Sequence, residues 1–214
     1  LNEELGATAV WGAQQGEFKQ RGKKDGVFGI WYGKGPGMDR TMDVFKHANA
    51  AGSSKYGGVL AIAGDDHAAK SSTLPHQSDH NFMSAFMPYL YPSGVDEIVR
   101  FGLLGIAMSR YSGCWTGFKI VSDVADSGKR YDTELEKFPI VIPDESYLGE
   151  YKDLPRNILY SDTPRDQDYR LQRAKGFAAQ EFVRANNIDV SMWKSGNSKM
   201  GIITAGKSYN DVRE

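Results

Sequence analysis

The run VLAIAG at 59–64 is apolar at every position, and it constrains the fold more than any other stretch of the chain. A strand with one wet face alternates polar and apolar residues. A strand apolar throughout has to be covered on both faces, as in parallel sheets flanked by helices. The run is too short for a membrane span, and it is bracketed by Gly57-Gly58 before and Asp65-Asp66-His67 after. It is therefore read as an inner strand of an α/β sheet whose carboxyl end carries polar groups.

The neighbouring segments fit that frame. Residues 3–15 (EELGATAVWGAQQ) are rich in small side chains, with Leu5, Val10 and Trp11 spaced for one helical face. Asp25-Gly26 introduces VFGIWYG, a first strand, followed by a polar glycine loop at Gly33-Lys34-Gly35-Pro36-Gly37 and a helix from about Met38 to Ala50. Two helices are expected near Ser78–Leu90 and Val95–Tyr111, then a third strand at Trp115–Val121. Strand, helix, strand, helices, strand spells a layered α/β domain with a largely parallel sheet flanked by helices.

Residues 123–165 are charged and proline-bearing and read as a linker or wrapping arm. A helix follows from about Asp166 to Asn186, then a strand Met200–Gly206 and the start of another helix. The expected organisation is a domain at 1–125, an arm and helix at 126–197, and the first elements of a following α/β domain at 198–214.

Composition removes several function classes. A formal net charge of -1 gives no basic field to attract nucleic acid. Cys114 is the only cysteine, so no intrachain disulfide and no iron–sulfur cluster can form here; a cytoplasmic setting is expected. No apolar run approaches a membrane span. The chain opens on Leu1-Asn2-Glu3-Glu4, with neither an initiator Met nor a signal-peptide pattern, and is expected to be cut from a longer protein.

Individual motifs weigh little alone. The glycine loop at 33–37 lacks the GxxxxGK[ST] spacing, although a loop at a strand's carboxyl end is where open α/β sheets place ligands. Asp65-Asp66-His67 is read as a hydrogen-bonding strand end, because adjacent residues point in different directions and rarely ligate one ion. His76 and His80 have zinc-peptidase spacing, but Gln77 stands where the base would be, so no metal site is assigned.

The blocks NEELGATAVWGAQQ, GVFGIWYGKGPGMDR, DVFKHANAAGSSKYGGVLAIAGDDH, SSTLPHQSDH, SRYSGCWTGFK, LQRAKGFAAQEFVRANNID and KMGIITAGKSYNDVRE, in this order, resemble consecutive parts of the fused, indolepyruvate-type 2-oxoacid:ferredoxin oxidoreductases. The resemblance covers 1–122 and 165–214 and is weak between. It implies the pyrimidine-type thiamine-diphosphate-binding fold. It also implies an enzyme that oxidatively decarboxylates indolepyruvate-like 2-oxoacids, passing electrons to ferredoxin and the acyl group to coenzyme A. The family's helix opens on a glutamate that hydrogen-bonds the far pyrimidine nitrogen of the cofactor. Here Glu3 takes that place, with Glu4 the competing choice and the spacing to Gly12 favouring Glu3.

A GDG…N signature for the diphosphate and magnesium is missing: the third residue of Gly64-Asp65-Asp66 is Asp66, and Asn186-Asn187 is too distant. Magnesium and the 4Fe–4S clusters are expected in other parts of the enzyme, whose diphosphate-binding domain would be this segment's partner in a homo-oligomer. Cofactor contacts are expected from Tyr32, Lys34, Gly35, Asp66 and His67, and substrate contacts from His47 and Asn49. The rivals are an enzyme for another 2-oxoacid such as pyruvate, and a non-catalytic subunit that keeps the fold.

Overall fold

In the computed structural model, residues 2–16, 18, 23–71, 73–130, 138–193 and 196–213 are described. Helix α1 (Glu3–Gln14) starts at Asn2, whose side chain accepts the Leu5 amide at 2.9 Å, and carries Glu3 and Glu4 in its first turn, where the helix dipole favours acids. Strand β1 (Gly29–Lys34) leads into α2 (Gly35–Arg40) and α3 (Met42–Ala51), and β2 (Val59–Asp65) follows. Next come α4 (Asp79–Ser84), the short β3 (Tyr89–Leu90), α5 (Val95–Ser112), β4 (Thr116–Val121) and α6 (Ser122–Ala125). A 3-10 turn (Ser146–Tyr151) leads to α7 (Pro164–Arg170), a π-helical turn (Leu171–Lys175), α8 (Gly176–Ala185) and finally α9 (Lys207–Arg213).

The four strands form one sheet in the order β1-β2-β4-β3, with every pair parallel. This is the layered α/β architecture expected from the sequence. Parallel pairing puts all the strand carboxyl ends along one edge. One face carries Trp31, Val59, Ala61 and Ala63, packed with Ala7, Met38, Phe45 and Phe82 from the helices. On the other face Leu60 and Phe118 pack with Phe101, Leu104 and Met108 of α5 and with Ala178 and Phe182 of α8. The boundary expected near residue 125 therefore does not part the core, because α8 completes the second layer.

Three local expectations are corrected. The glycine loop at 33–37 is largely helix: Pro36, with φ preset for the first turn, starts α2 from Gly35. The single helix expected at 78–90 stops at Ser84. Phe86 is left-handed (φ 54°) and Pro88 disfavours helix at Met87, so the chain enters β3 instead. The segment 200–206 pairs with no strand of the sheet. Ile203 is fully exposed there, and the chain runs on to α9, where the Asn210 side-chain amide donates to the Ser93 carbonyl at 2.8 Å. Among the described residues no helix is long and apolar enough to cross a membrane.

Candidate functional site

Helix α1 runs antiparallel to β1: Gly6 lies beside the Trp31 indole and Val10 lies against Gly29, so the first turn of α1 reaches the carboxyl edge of the sheet. There the Trp31 indole N–H donates to the Glu3 carbonyl at 3.0 Å. The half-buried Glu3 side chain passes over Gly37, where a methyl group would come within 2.7 Å of its Cγ. On the other flank of the same helical turn the His76 ring lies against Gly35, so closely that no side chain fits there. The two glycines are clearance slots: Gly37 admits Glu3 and Gly35 admits His76.

His76 joins a chain of polar groups along this edge. Its Nε2 is 2.9 Å from Asp39 Oδ2, and its Nδ1 is 3.4 Å from Asp65 Oδ1. Asp65 is buried at the end of β2 and takes the Ser78 amide at 2.8 Å and the Ser78 hydroxyl at 2.6 Å. Lys119, buried in the middle of β4, extends its Nζ to 3.5 Å from Asp65 and 2.5 Å from Asp79, and sits 4.7 Å over the Tyr91 ring. The Tyr89 hydroxyl donates to Asp79 at 3.0 Å, and Asn81 donates to Asp39 at 2.8 Å.

These pairings tune the acids. Burial opposes ionisation of Asp39, but hydrogen bonds from Asn81 and His76 outweigh it and hold its pKa below the ordinary value. At Asp79 burial is likewise outweighed by the Lys119 hydrogen bond and charge, with Tyr89 adding to them. Burial, then the Asp79 charge, push Tyr89 up to about 12, so its hydroxyl stays protonated and can donate.

A cavity of about 630 Å³ opens over this edge, lined by Lys34, Pro36, Asp39, Lys70, Leu74 and His76 among others. Lys34 Nζ donates to the Ser71 carbonyl at 3.5 Å. Asp66 turns the loop back by accepting the Ser71 amide at 2.6 Å. That bond leads the amide contacts, with Lys70 and Ala68 among them, that hold its pKa low. A smaller cavity of about 220 Å³ lies beside it, lined by His67, Tyr91, Ser122 and Lys207 among others.

Of the residues expected from the sequence, Lys34 lines the larger cavity and His67 the smaller one; Gly35 lies under the His76 ring and Asp66 accepts the Ser71 amide, and neither lines a cavity. Tyr32 lines no cavity either; it is 80% exposed on edge strand β1. His47 lies on the outer side of α3, its Nδ1 2.9 Å from the Asp43 carbonyl. Asn49 is fully buried and serves as a brace: its amide donates to the Ala85 and Phe86 carbonyls, and its oxygen accepts the Trp115 amide. Neither His47 nor Asn49 lines either cavity: His47 is exposed on α3, and the Asn49 amide is engaged inside the core.

Sequence reasoning gave no role to Asp39, Asp79 or Lys119; Asp65 it read as part of a hydrogen-bonding strand end, and Asp65 accepts the Ser78 amide and hydroxyl. Lys119 carried a usable signal, because a lysine inside the apolar strand TGFKIV has to meet a carboxylate. His76 and His80 do not act together; His80 is exposed, and no group of three or more His, Cys, Asp or Glu among the described residues could hold a metal ion. Comparison with protein-family models, with curated proteins and with solved structures found no match for this chain.

Proposed function

We propose that this chain is the pyrimidine-holding segment of a thiamine-diphosphate-dependent 2-oxoacid:ferredoxin oxidoreductase, with aryl pyruvates of the indolepyruvate type as favoured substrates. The observation that carries the reading is Glu3. It stands in the first turn of α1 at the carboxyl edge of the parallel sheet, half-buried, and Gly37 lets its side chain pass close over α2. That position fits a carboxyl needed at an aromatic nitrogen of a flat ligand.

In this reading Glu3 would hold the N1′ nitrogen of the pyrimidine, and Trp31, whose indole N–H donates to the Glu3 carbonyl, fixes the backbone of the helix start from which that carboxyl extends. Thiamine diphosphate, when bound, supplies the electron sink for loss of carbon dioxide. The polar edge from Asp39 to Asp79 orders the loops around that position. Magnesium, the 4Fe–4S clusters, and the sites for ferredoxin and coenzyme A belong to parts of the enzyme outside this segment.

The test is Glu3→Gln in the complete oxidoreductase, assayed by 2-oxoacid-dependent reduction of ferredoxin with indolepyruvate and with pyruvate. Turnover falls by about 10²–10⁴, the range for loss of a general acid–base group, while cofactor affinity changes less. Near-normal turnover removes Glu3 from the mechanism and promotes Glu4.

A further inference from the structure

Parallel sheets are normally covered by helices on both faces, and their edges are kept short or guarded. This sheet departs from that rule at β1. The edge strand β3 is two residues long, with Pro92 close behind it. The other edge strand, β1, is six residues long and runs in unbroken register with β2. It contains no proline, and its one charge, Lys34, stands at its last position. The Gly29 amide donates to the Gly58 carbonyl at 2.9 Å, so Gly29, Trp31 and Gly33 turn their main-chain groups towards β2. Ile30 and Tyr32, between them, turn theirs outwards. Among the described residues no strand pairs with that outer side. The side chains repeat the pattern. Ile30 and Tyr32 share the face of Leu60 and Ile62, their partners in β2, but the cover that α5 and α8 give that face leaves both exposed.

The same chain carries a strand pattern without a sheet. Residues 200–206, MGIITAG, match β1 in length and pair with no strand of the sheet. Met200 and Ile202 are exposed, and Ile203 is fully so. Alternation puts Ile202 and Ile203 on opposite faces of any strand the segment forms, so an isoleucine comes to lie on the face of Ile30 and Tyr32 in either register. Within one chain the segment is held away from β1. Gly206, at φ 59°, sits so close to the Tyr91 ring that no side chain fits, and Asn210 of α9 donates to the Ser93 carbonyl. The carboxyl end of the segment is thereby tied down beside β3, at the opposite edge of the sheet.

We propose that residues 200–206 of one copy add as a fifth strand to the outer edge of β1 in a second copy, joining chains head to tail. A donor segment and an acceptor edge on different parts of one surface make a heterologous contact, which closes into a ring or runs on along a chain of copies. Main-chain hydrogen bonds at Ile30 and Tyr32 and burial of the exposed isoleucines supply the affinity. The proposal rests on no part of the thiamine reading, and it is read from association without activity.

The 214-residue chain is followed by sedimentation velocity over a concentration series reaching the near-millimolar range. Its average mass should rise with concentration. Two variants separate donor from acceptor. Ile202→Pro with Ile203→Pro spoils the segment, where both side chains are exposed and no strand is lost. Tyr32→Pro removes an outward amide and no bond to β2, a place where an edge strand tolerates proline. Each variant alone should associate about tenfold or more weakly than the parent. Mixed, they should form a one-to-one dimer, because the Tyr32→Pro chain still offers its segment and the other chain still offers its edge. In the parent the Ile30 and Tyr32 amides should exchange with solvent more slowly as concentration rises, a readout that needs no variant. The proposal is overturned by a parent that stays monomeric, by either variant associating as the parent does, by a mixture that stays monomeric, or by amide exchange that ignores concentration. Failure here leaves the Glu3 test intact, and failure of the Glu3 test leaves this one intact.

Discussion

Lys175 offers a quantitative test of the packing of α8 against the sheet. The π-helical turn that precedes α8 buries this side chain completely, and its Nζ donates to the Ala50 carbonyl at 2.7 Å and the Asn49 carbonyl at 3.3 Å. Burial, with the charge of Arg170 in support and Cys114 opposing, lowers its pKa from 10.5 to about 8. Between those two values the unfolded chain holds a proton that the folded chain has shed, so stability rises with pH. The whole change in proton affinity is worth about 3 kcal/mol. Only part of it is reached by pH 9, about 1 kcal/mol relative to pH 7. Cys114, buried beside it, works the other way: its thiol is pushed by burial from 9.0 to about 11, so it removes stability as pH climbs through 9. The clean window is thus pH 7 to 9, before the raised tyrosines Tyr89 and Tyr111 add their own loss. Urea unfolding followed by tryptophan fluorescence at pH 7, 8 and 9 should show the parent gaining stability by roughly 1 kcal/mol. Lys175→Met should be flat or falling over the same range, whatever its absolute stability. A parent that does not gain, or a methionine variant that gains equally, refutes the argument.

Asn49→Leu strands the Ala85 and Phe86 carbonyls and the Trp115 amide inside the core, and should cost about 2–5 kcal/mol by chemical denaturation. A loss below that range means those groups find other partners. Gly37→Ala puts a methyl group 2.7 Å from Glu3 Cγ at a helical position that tolerates alanine. Stability should stay within about 1 kcal/mol; on the proposed function, turnover of the complete oxidoreductase should drop by about tenfold or more as Glu3 is pushed aside. Unchanged turnover in a folded variant separates Glu3 from the chemistry.

The layer order was legible because it is written in short-range patterns. VLAIAG could only be a doubly covered strand, and the α5 stripe through Phe101, Leu104 and Met108 could only be a helix facing it. The break after α4 was missed although its cause was in view: Pro88 stands inside the stretch read as one helix, and Phe86 takes a left-handed turn ahead of it. The segment 200–206 failed for the opposite reason. Its pattern fits a strand, but a strand is a pairing, and nothing in the pattern supplies the neighbour.

The site was harder to read because its grouping is tertiary. His76 and Asp39 are far apart in sequence, and only the ordering of loops along the carboxyl edge brings the ring to 2.9 Å from the carboxylate. The glycines of the 33–37 run were conspicuous but invited the wrong comparison, since a glycine-rich loop after a strand suggests backbone amides aimed at a phosphate. Their role is fixed by what lies on the two flanks of α2. Gly35 leaves room for an imidazole and Gly37 for a carboxyl, so one helical turn separates Glu3 from His76 while holding both at the same edge. A glycine selected for clearance and a glycine selected for its amide look identical in sequence. They part on substitution: alanine keeps an amide but fills a slot. Gly35→Ala and Gly37→Ala therefore displace different acid–base groups from neighbouring positions of one short helix.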